Sequence, residues 1–156
     1  MSDDIQQEWE RACSVIHDWF QSQGADPTAH RFQEPEDQRG TAMCWGISSG
    51  SVDAFILLNR GEEDVSLQIY SPVLRLPDPS QRAGFFEALL RLNATTLSAC
   101  AFGIDEDDEV VVISDRQADG LSVRELDELI RSVTTYADHF NDNLADRFGA
   151  ELIGEE

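Results

Sequence analysis

Two spacings of hydrophobic residues alternate along this chain, and the switches between them mark its elements. Ile5, Trp9, Ala12, Cys13, Ile16, Trp19 and Phe20 recur at helical spacing, with Gln6, Glu10 and Asp18 elsewhere on the wheel. Ser2 or Asp3 can cap the start of this first helix, and Gly24 suits its stop. Residues 24–40 are rich in Pro, Gln, Asp and Glu around an apolar anchor at Phe32, and read as a connection with room for a short edge strand. The spacing then shortens to two. Met43, Trp45 and Ile47 share one face of a strand, and Ser48-Ser49-Gly50-Ser51 turns the chain. Val52, Ala54, Ile56 and Leu58 alternate with Asp53, Phe55 and Leu57 on a strand that is apolar on both faces. After a polar turn over 59–63, Val65, Leu67 and Ile69 alternate with Ser66, Gln68 and Tyr70. Strands joined by short polar turns predict an antiparallel meander, which Pro72, Pro77 and Pro79 should end.

Asp78-Pro79 has the form of a helix start, a carboxylate at the cap and proline in the first turn. Phe85, Phe86, Leu89 and Leu90 supply the expected buried face of this second helix, and Asn93 its end. Leu97 to Ile104 and Glu109 to Ser114 read as two strands around the acidic turn Asp105-Glu106-Asp107-Asp108. Ser122 and Glu125 form a capping box, with Leu121 and Leu126 placed as its hydrophobic staple. Leu126, Leu129, Ile130, Val133, Ala137, Phe140 and Leu144 then run down one face of a long third helix. The expectation is a single domain over residues 1–149 with a frayed tail over 150–156. Its order is α-β-β-β-α-β-β-α, an α+β fold in which an antiparallel five-stranded sheet packs with three helices.

Length agrees with that picture. A chain of 156 residues can bury roughly 68–70% of its unfolded surface, so neither a metal nor a disulfide is required for folding. Cys13, Cys44 and Cys100 are far apart and odd in number, which reads as reduced, buried thiols in a cytoplasmic protein. The acidic start of the chain does not look like a signal peptide, and no apolar run reaches membrane-spanning length.

Charge changes the picture more. The net charge is −20, and all eleven basic residues are arginine. Nucleic acid and anionic lipid both ask for a cationic face, so neither is an expected partner. A GC-rich genome accounts for arginine in place of lysine but leaves 31 acidic residues unexplained; a salt-adapted proteome accounts for both.

Candidate chemistry is sparse. Gly46-Ile47-Ser48-Ser49-Gly50 matches the G-x-S-x-G nucleophile pattern, which works only as a strand-to-helix turn above a parallel sheet; here a second strand follows, and a hairpin is the better account. The Asp105 turn invites a calcium reading. Counted from Asp105, however, the positions that an EF-hand fills with glycine and glutamate hold Val110 and Arg116. Cys13 and His17 stand one helical turn apart without a second ligand pair, and His30 and His139 have no evident catalytic companions. No catalytic, cofactor or metal residue is assigned. Trp45, Phe55, Leu57 and Tyr70 remain, competing for the second face of the sheet, and an exposed apolar patch of this kind marks a partner site. The alternative is that the first and third helices cover both faces.

Ser71-Pro72-Val73, the run Phe85-Phe86-Glu87-Ala88-Leu89-Leu90-Arg91-Leu92-Asn93, and Ala101-Phe102-Gly103-Ile104-Asp105 resemble the YbjN family of bacterial sensory transduction regulators. The strand Val110-Val111-Val112-Ile113 and the acidic helix from Ser122 fit the same pattern, and the resemblance spans roughly residues 65–145. That family is similar in fold to type III secretion chaperones of the CesT type, small acidic cytoplasmic homodimers that hold an extended segment of a client. The resemblance implies a secretion-chaperone-like fold and offers no catalytic residues to carry over; no cofactor is expected. It further suggests a non-enzymatic protein- or peptide-binding module, chaperone-like or regulatory, which forms a homodimer. A regulatory homodimer with no client and an enzyme of unidentified class are the alternatives.

Self-repulsion at −20 should weaken the fold at low ionic strength and be relieved by screening. The melting temperature is expected to climb as NaCl is raised from millimolar to molar; a flat curve would count against salt adaptation.

Overall fold

A computed structural model describes residues 3–32 and 42–153 of the chain. The elements are α1 (Asp3–Ser22), β1 (Arg31–Phe32), β2 (Ala42–Ser49), β3 (Val52–Arg60), β4 (Val65–Arg75), α2 (Arg82–Thr95), β5 (Ala101–Ile104), β6 (Glu109–Gln117) and α3 (Val123–Phe148), with a single 3-10 turn at Pro79–Gln81 before α2. The predicted order of long elements is present. Among the described residues the sheet has six strands in the order β1-β2-β3-β4-β6-β5, all neighbours antiparallel. The sixth is the two-residue edge strand β1, paired through Arg31 and Phe32 with Trp45 and Cys44. Such short edges present few unpaired backbone groups to other chains. The Ser2 cap, the Phe32 side-chain anchor and residues 33–41 of the connection lie outside what is described.

Register decides which side chains meet. Trp45 stands opposite Ile56 and Ile56 opposite Ile69, so this row shares one face. With Leu58, Leu67, Val110 and Val112 it meets the apolar stripes of α1 (Ile5, Ala12, Ile16, Trp19, Phe20) and α3 (Leu126, Ile130, Val133, Ala137, Leu144) in one continuous core. The amphipathic spacing of those helices is the cause: each has one apolar stripe, and the sheet is where it can be buried. Trp45, expected on the partner-binding face, is fully buried in this core. The correction follows from its register, since Phe55 and Leu57 point to the opposite side from Ile56.

Several boundaries move for local reasons. β4 runs on through Pro72 to Arg75, because β3 pairs with it only as far as Tyr70, and a register shift between Pro72 and Leu74 takes up the proline against β6. Asp78 precedes the 3-10 turn without a side-chain cap bond. Asn93 does not end α2; its amide instead bonds the backbone of Phe102 in both directions, at 2.7 and 3.2 Å, and occupies the outer edge of β5. β5 starts at Ala101 rather than Leu97, after Ala99 takes a left-handed backbone (φ 62°). Of the four residues expected to form the buried face of α2, Phe85 and Leu89 are buried, Phe86 is half-buried and Leu90 is 68% exposed. The helix is apolar on more than one side, so spacing alone does not choose among them.

At the start of α3, Ser122 Oγ accepts the Glu125 N–H at 3.1 Å, while the Glu125 carboxylate turns away to pair with Arg116. Only half of the capping box is therefore made, although Leu121 and Leu126 are both buried as a staple requires. Gly149 closes α3 in a left-handed conformation. The segment beyond it does not fray as expected: Leu152 bridges to Leu74, and Arg75 N–H donates to Glu151 O at 2.9 Å, along the part of β4 that β3 leaves unpaired. Residues 154–156 lie outside the description.

Replacing Trp45 with alanine should destabilise the protein by about 3–5 kcal/mol, the usual cost of emptying a large core position. Chemical denaturation measures it, and a loss below about 1 kcal/mol would contradict the buried position of this ring.

Candidate partner-binding face

Among the described residues all three helices lie on the Trp45 side of the sheet, so the opposite face carries no helix. Its central row is set by register: Gly46, Phe55, Tyr70, Ile113 and Ala101 stand side by side across β2, β3, β4, β6 and β5. Three large side chains are thus flanked by small residues. Phe55 and Tyr70 stack with ring centroids 5.3 Å apart and planes tilted by 29°. The next row holds Leu57, Gln68 and Asp115. Phe55, Leu57, Tyr70 and Ile113 are each half-buried, which is what an apolar strand face keeps when no helix is laid over it. Toward the β1 edge the face closes, and Cys44, opposite Leu57, is buried.

The face deepens at one end into a cleft of about 580 Å³, with Phe55, Tyr70 and Pro72 on its apolar side and Asp53, Asp107 and Glu109 among its acids. The turn that carries the acids is organised by Asp105, whose Oδ1 accepts the N–H groups of Asp107 at 2.9 Å and Glu109 at 3.0 Å. Asp108 takes the left-handed conformation (φ 59°) that a tight turn demands. Oxygens of Asp105, Asp107 and Glu109 lie within 4.8 Å of one another, so the three could offer carboxylate ligands to a cation. Among the described residues they are the sole cluster of three potential ligands.

The other candidates are engaged in structure. Ser48 Oγ donates to Asp53 Oδ1 at 2.7 Å across a strand-turn-strand hairpin, with Gly50 at φ +61° making the turn. Neighbouring Ser51 donates to Asp138 from both its hydroxyl and its N–H, and accepts from Asn141 Nδ2 at 3.0 Å, which pins the hairpin to α3. These bonds hold the Asp138 carboxyl below the usual carboxylate range. His17 stands edge-on to Trp45 at 6.2 Å, and burial raises the pKa of the Cys13 thiol, against a thiolate ligand role. His30 Nδ1 lies 3.0 Å from Gly46 O and its ring stacks on Phe20 at 5.2 Å. His139 packs edge-on against Phe140.

Two features had no warning in the sequence. A pocket of about 370 Å³ opens between the end of α1, the end of β2 and α3. Its wall includes Trp19 Nε1 donating to Asp127 Oδ1 at 3.0 Å, a bond that lowers the pKa of Asp127 together with Arg131 at 2.7 Å. Trp19 and Asp127 are 108 residues apart, so no local pattern could join them. The second feature is the outer ridge of α2, where Ala83, Phe86, Leu90 and Ala94 line a shallow apolar surface beside the Glu87–Arg91 ion pair.

A family model described as "Putative bacterial sensory transduction regulator" matches residues 13–146, most of the chain. The chain belongs to the YbjN family. Its fold is shared with solved structures at low identity. An uncharacterized protein from Methanothermobacter thermautotrophicus is 18% identical with a TM-score of 0.61, covering 88% of this chain and 99% of that one. The ExsC–ExsE complex gives 15% identity, a TM-score of 0.58, and coverage of 86% and 94%. The HopA1–SchA chaperone–effector complex gives 14%, 0.53, and coverage of 83% and 91%. The type III secretion chaperone-like α+β fold expected for a YbjN-family chain is therefore present. No curated protein matches. Among the described residues no helix is long and apolar enough to cross a membrane.

Proposed function

We propose that this YbjN-family chain is a non-enzymatic polypeptide-binding module, a chaperone-like or regulatory adaptor that works as a cytoplasmic homodimer. The observation that carries the reading is the sheet face over which no described helix lies, with Phe55, Leu57 and Tyr70 half-buried along it. Apolar side chains of a partner would be buried there, which is the principal source of affinity in such contacts. Solved complexes of the same fold that hold a polypeptide partner support the reading.

The outer ridge of α2 suits the second copy. Two chains of charge −20 repel each other unless they meet through a surface that is not acidic. With two arginines and one glutamate, α2 carries a charge of +1, while α1 and α3 are both net acidic. Across a two-fold axis an antiparallel pair of α2 helices would set Glu87 of each copy near Arg91 of the other, and bury Leu90 and Phe86 between small Ala83 and Ala94.

A photoreactive benzoylphenylalanine in place of Leu57, introduced in the native host, should give discrete polypeptide adducts that the same group in place of Asp119 does not. Equal or absent labelling at both positions would sink the client-binding reading and leave a regulatory dimer without a client. Leu90→Asp should convert a dimer to a folded monomer in sedimentation analysis, because a side chain 68% exposed contributes little to the fold of one copy. An unchanged sedimentation coefficient would place the dimer contact elsewhere.

A further inference from the structure

We propose that the cleft at the end of the sheet face receives a basic side chain, arginine in preference to lysine, from an extended segment whose neighbouring apolar side chains rest on Phe55, Tyr70 and Ile113. This rests on the reading of that face as a polypeptide-binding surface and adds what the polypeptide must carry.

The occupant follows from the two sides of the cleft. One side is the stacked pair Phe55 and Tyr70 with Pro72. The other is anionic and drawn from separate parts of the chain: Asp53 from β3, and Asp105, Asp107 and Glu109 from the turn into β6. Among the described residues no basic side chain lines the cleft. Asp53 and Asp105 are already committed, one to Ser48 Oγ and the other to the backbone of its own turn. Asp107 and Glu109 have no ion-pair partner among the described residues, although five other carboxylates do. The cleft therefore combines an apolar, π-rich side with uncompensated negative charge. A guanidinium fits both, since it stacks on an aromatic face and forks onto carboxylates, whereas an ammonium meets only the charge.

Strand geometry supplies the rest. In an extended segment alternate side chains point the same way, about 6.4–6.8 Å apart. A basic residue in the cleft would thus present the residues two positions away to the sheet surface. One of them would rest on the Phe55–Tyr70–Ile113 row, whose Phe55–Tyr70 end forms the apolar side of the cleft.

The test uses the full chain and labelled nine-residue probes, Gly-Ser-Leu-Ser-Arg-Ser-Leu-Ser-Gly and versions with lysine, glutamine or glutamate at the centre. Affinity is read by fluorescence anisotropy at 150 mM NaCl. The arginine probe should bind at least tenfold tighter than the glutamine probe, with lysine between them and glutamate weakest. Asp107→Asn combined with Glu109→Gln should abolish this ranking and leave the glutamine probe unchanged. Asp119→Asn combined with Glu128→Gln removes the same net charge elsewhere and should leave the ranking intact. Both pairs spare Asp105 and Asp53, which hold the turn and the hairpin. Equal binding of all four probes, lost in Leu57→Asp, would overturn the basic-residue preference and leave the polypeptide-binding reading standing. A ranking that survives the Asp107 and Glu109 changes, or is lost equally with the distant pair, would also overturn it. If none of the probes binds up to millimolar concentration, the proposal and the reading beneath it fall together.

Discussion

A sheet has two faces, and among the described residues the helices all lie on one. Everything else in the structure depends on that imbalance. The Trp45, Ile56 and Ile69 row is buried under α1 and α3, in a core with Phe20, Phe85, Leu74 and Leu126. Each large side chain fully withdrawn from water contributes about 1.5–3 kcal/mol, so the covered face is where folding free energy is concentrated. Phe55, Leu57, Tyr70 and Ile113 on the other face are half-buried and contribute less. That face can accept changes in sequence at a modest cost in stability.

Much of the architecture was legible because local signals and tertiary packing agree. The one-stripe spacing of α1 and α3, the alternation through β2 to β4, and the half-made capping box at Ser122 all act over a few residues, and the structure obeys them. The misreadings fall where a distant partner overrides a local rule. Pro72 should have stopped β4, but β3 no longer pairs there and a register shift absorbs it. Asn93 reads as a helix stop, yet its amide is needed at the edge of β5. The terminal residues look unanchored until Leu74 provides a partner 78 positions earlier.

The candidate site was legible by the same measure. Phe55, Leu57 and Tyr70 fall on one face because period-two alternation is local, and pairing Phe55 with Tyr70 needs only a short turn. Trp45 was grouped with them by size and aromatic character, and its own alternation with Met43 and Ile47 already placed it with the residues that α1 and α3 bury. Spacing says which side chains share a face; it does not say which face the helices take. The acidic cleft and the α2 ridge were out of reach for another reason. The cleft joins Asp53 to Asp107 across the fold, and the ridge needs to be known as the side of α2 turned from the core.

On the reading proposed above, charge divides the work between the two apolar surfaces. If two copies met through the sheet face, the acids at its end, with Asp53 and Asp115 beside them, would confront their own kind across the two-fold axis. Like charges in such an interface cost several kcal/mol, too much for a contact of modest area. Helix α2 carries +1, and its outer ridge holds an ion pair that two-fold symmetry can exchange between copies, so self-association there meets no such opposition. A partner for the sheet face must then be something other than this chain, and it must bring positive charge. On that reading the charge of −20, which disfavours nucleic acid as a partner, also opposes self-association through the sheet face. If self-association runs through α2 as proposed, the sheet face is left for a cationic polypeptide in the dimer as in the single chain.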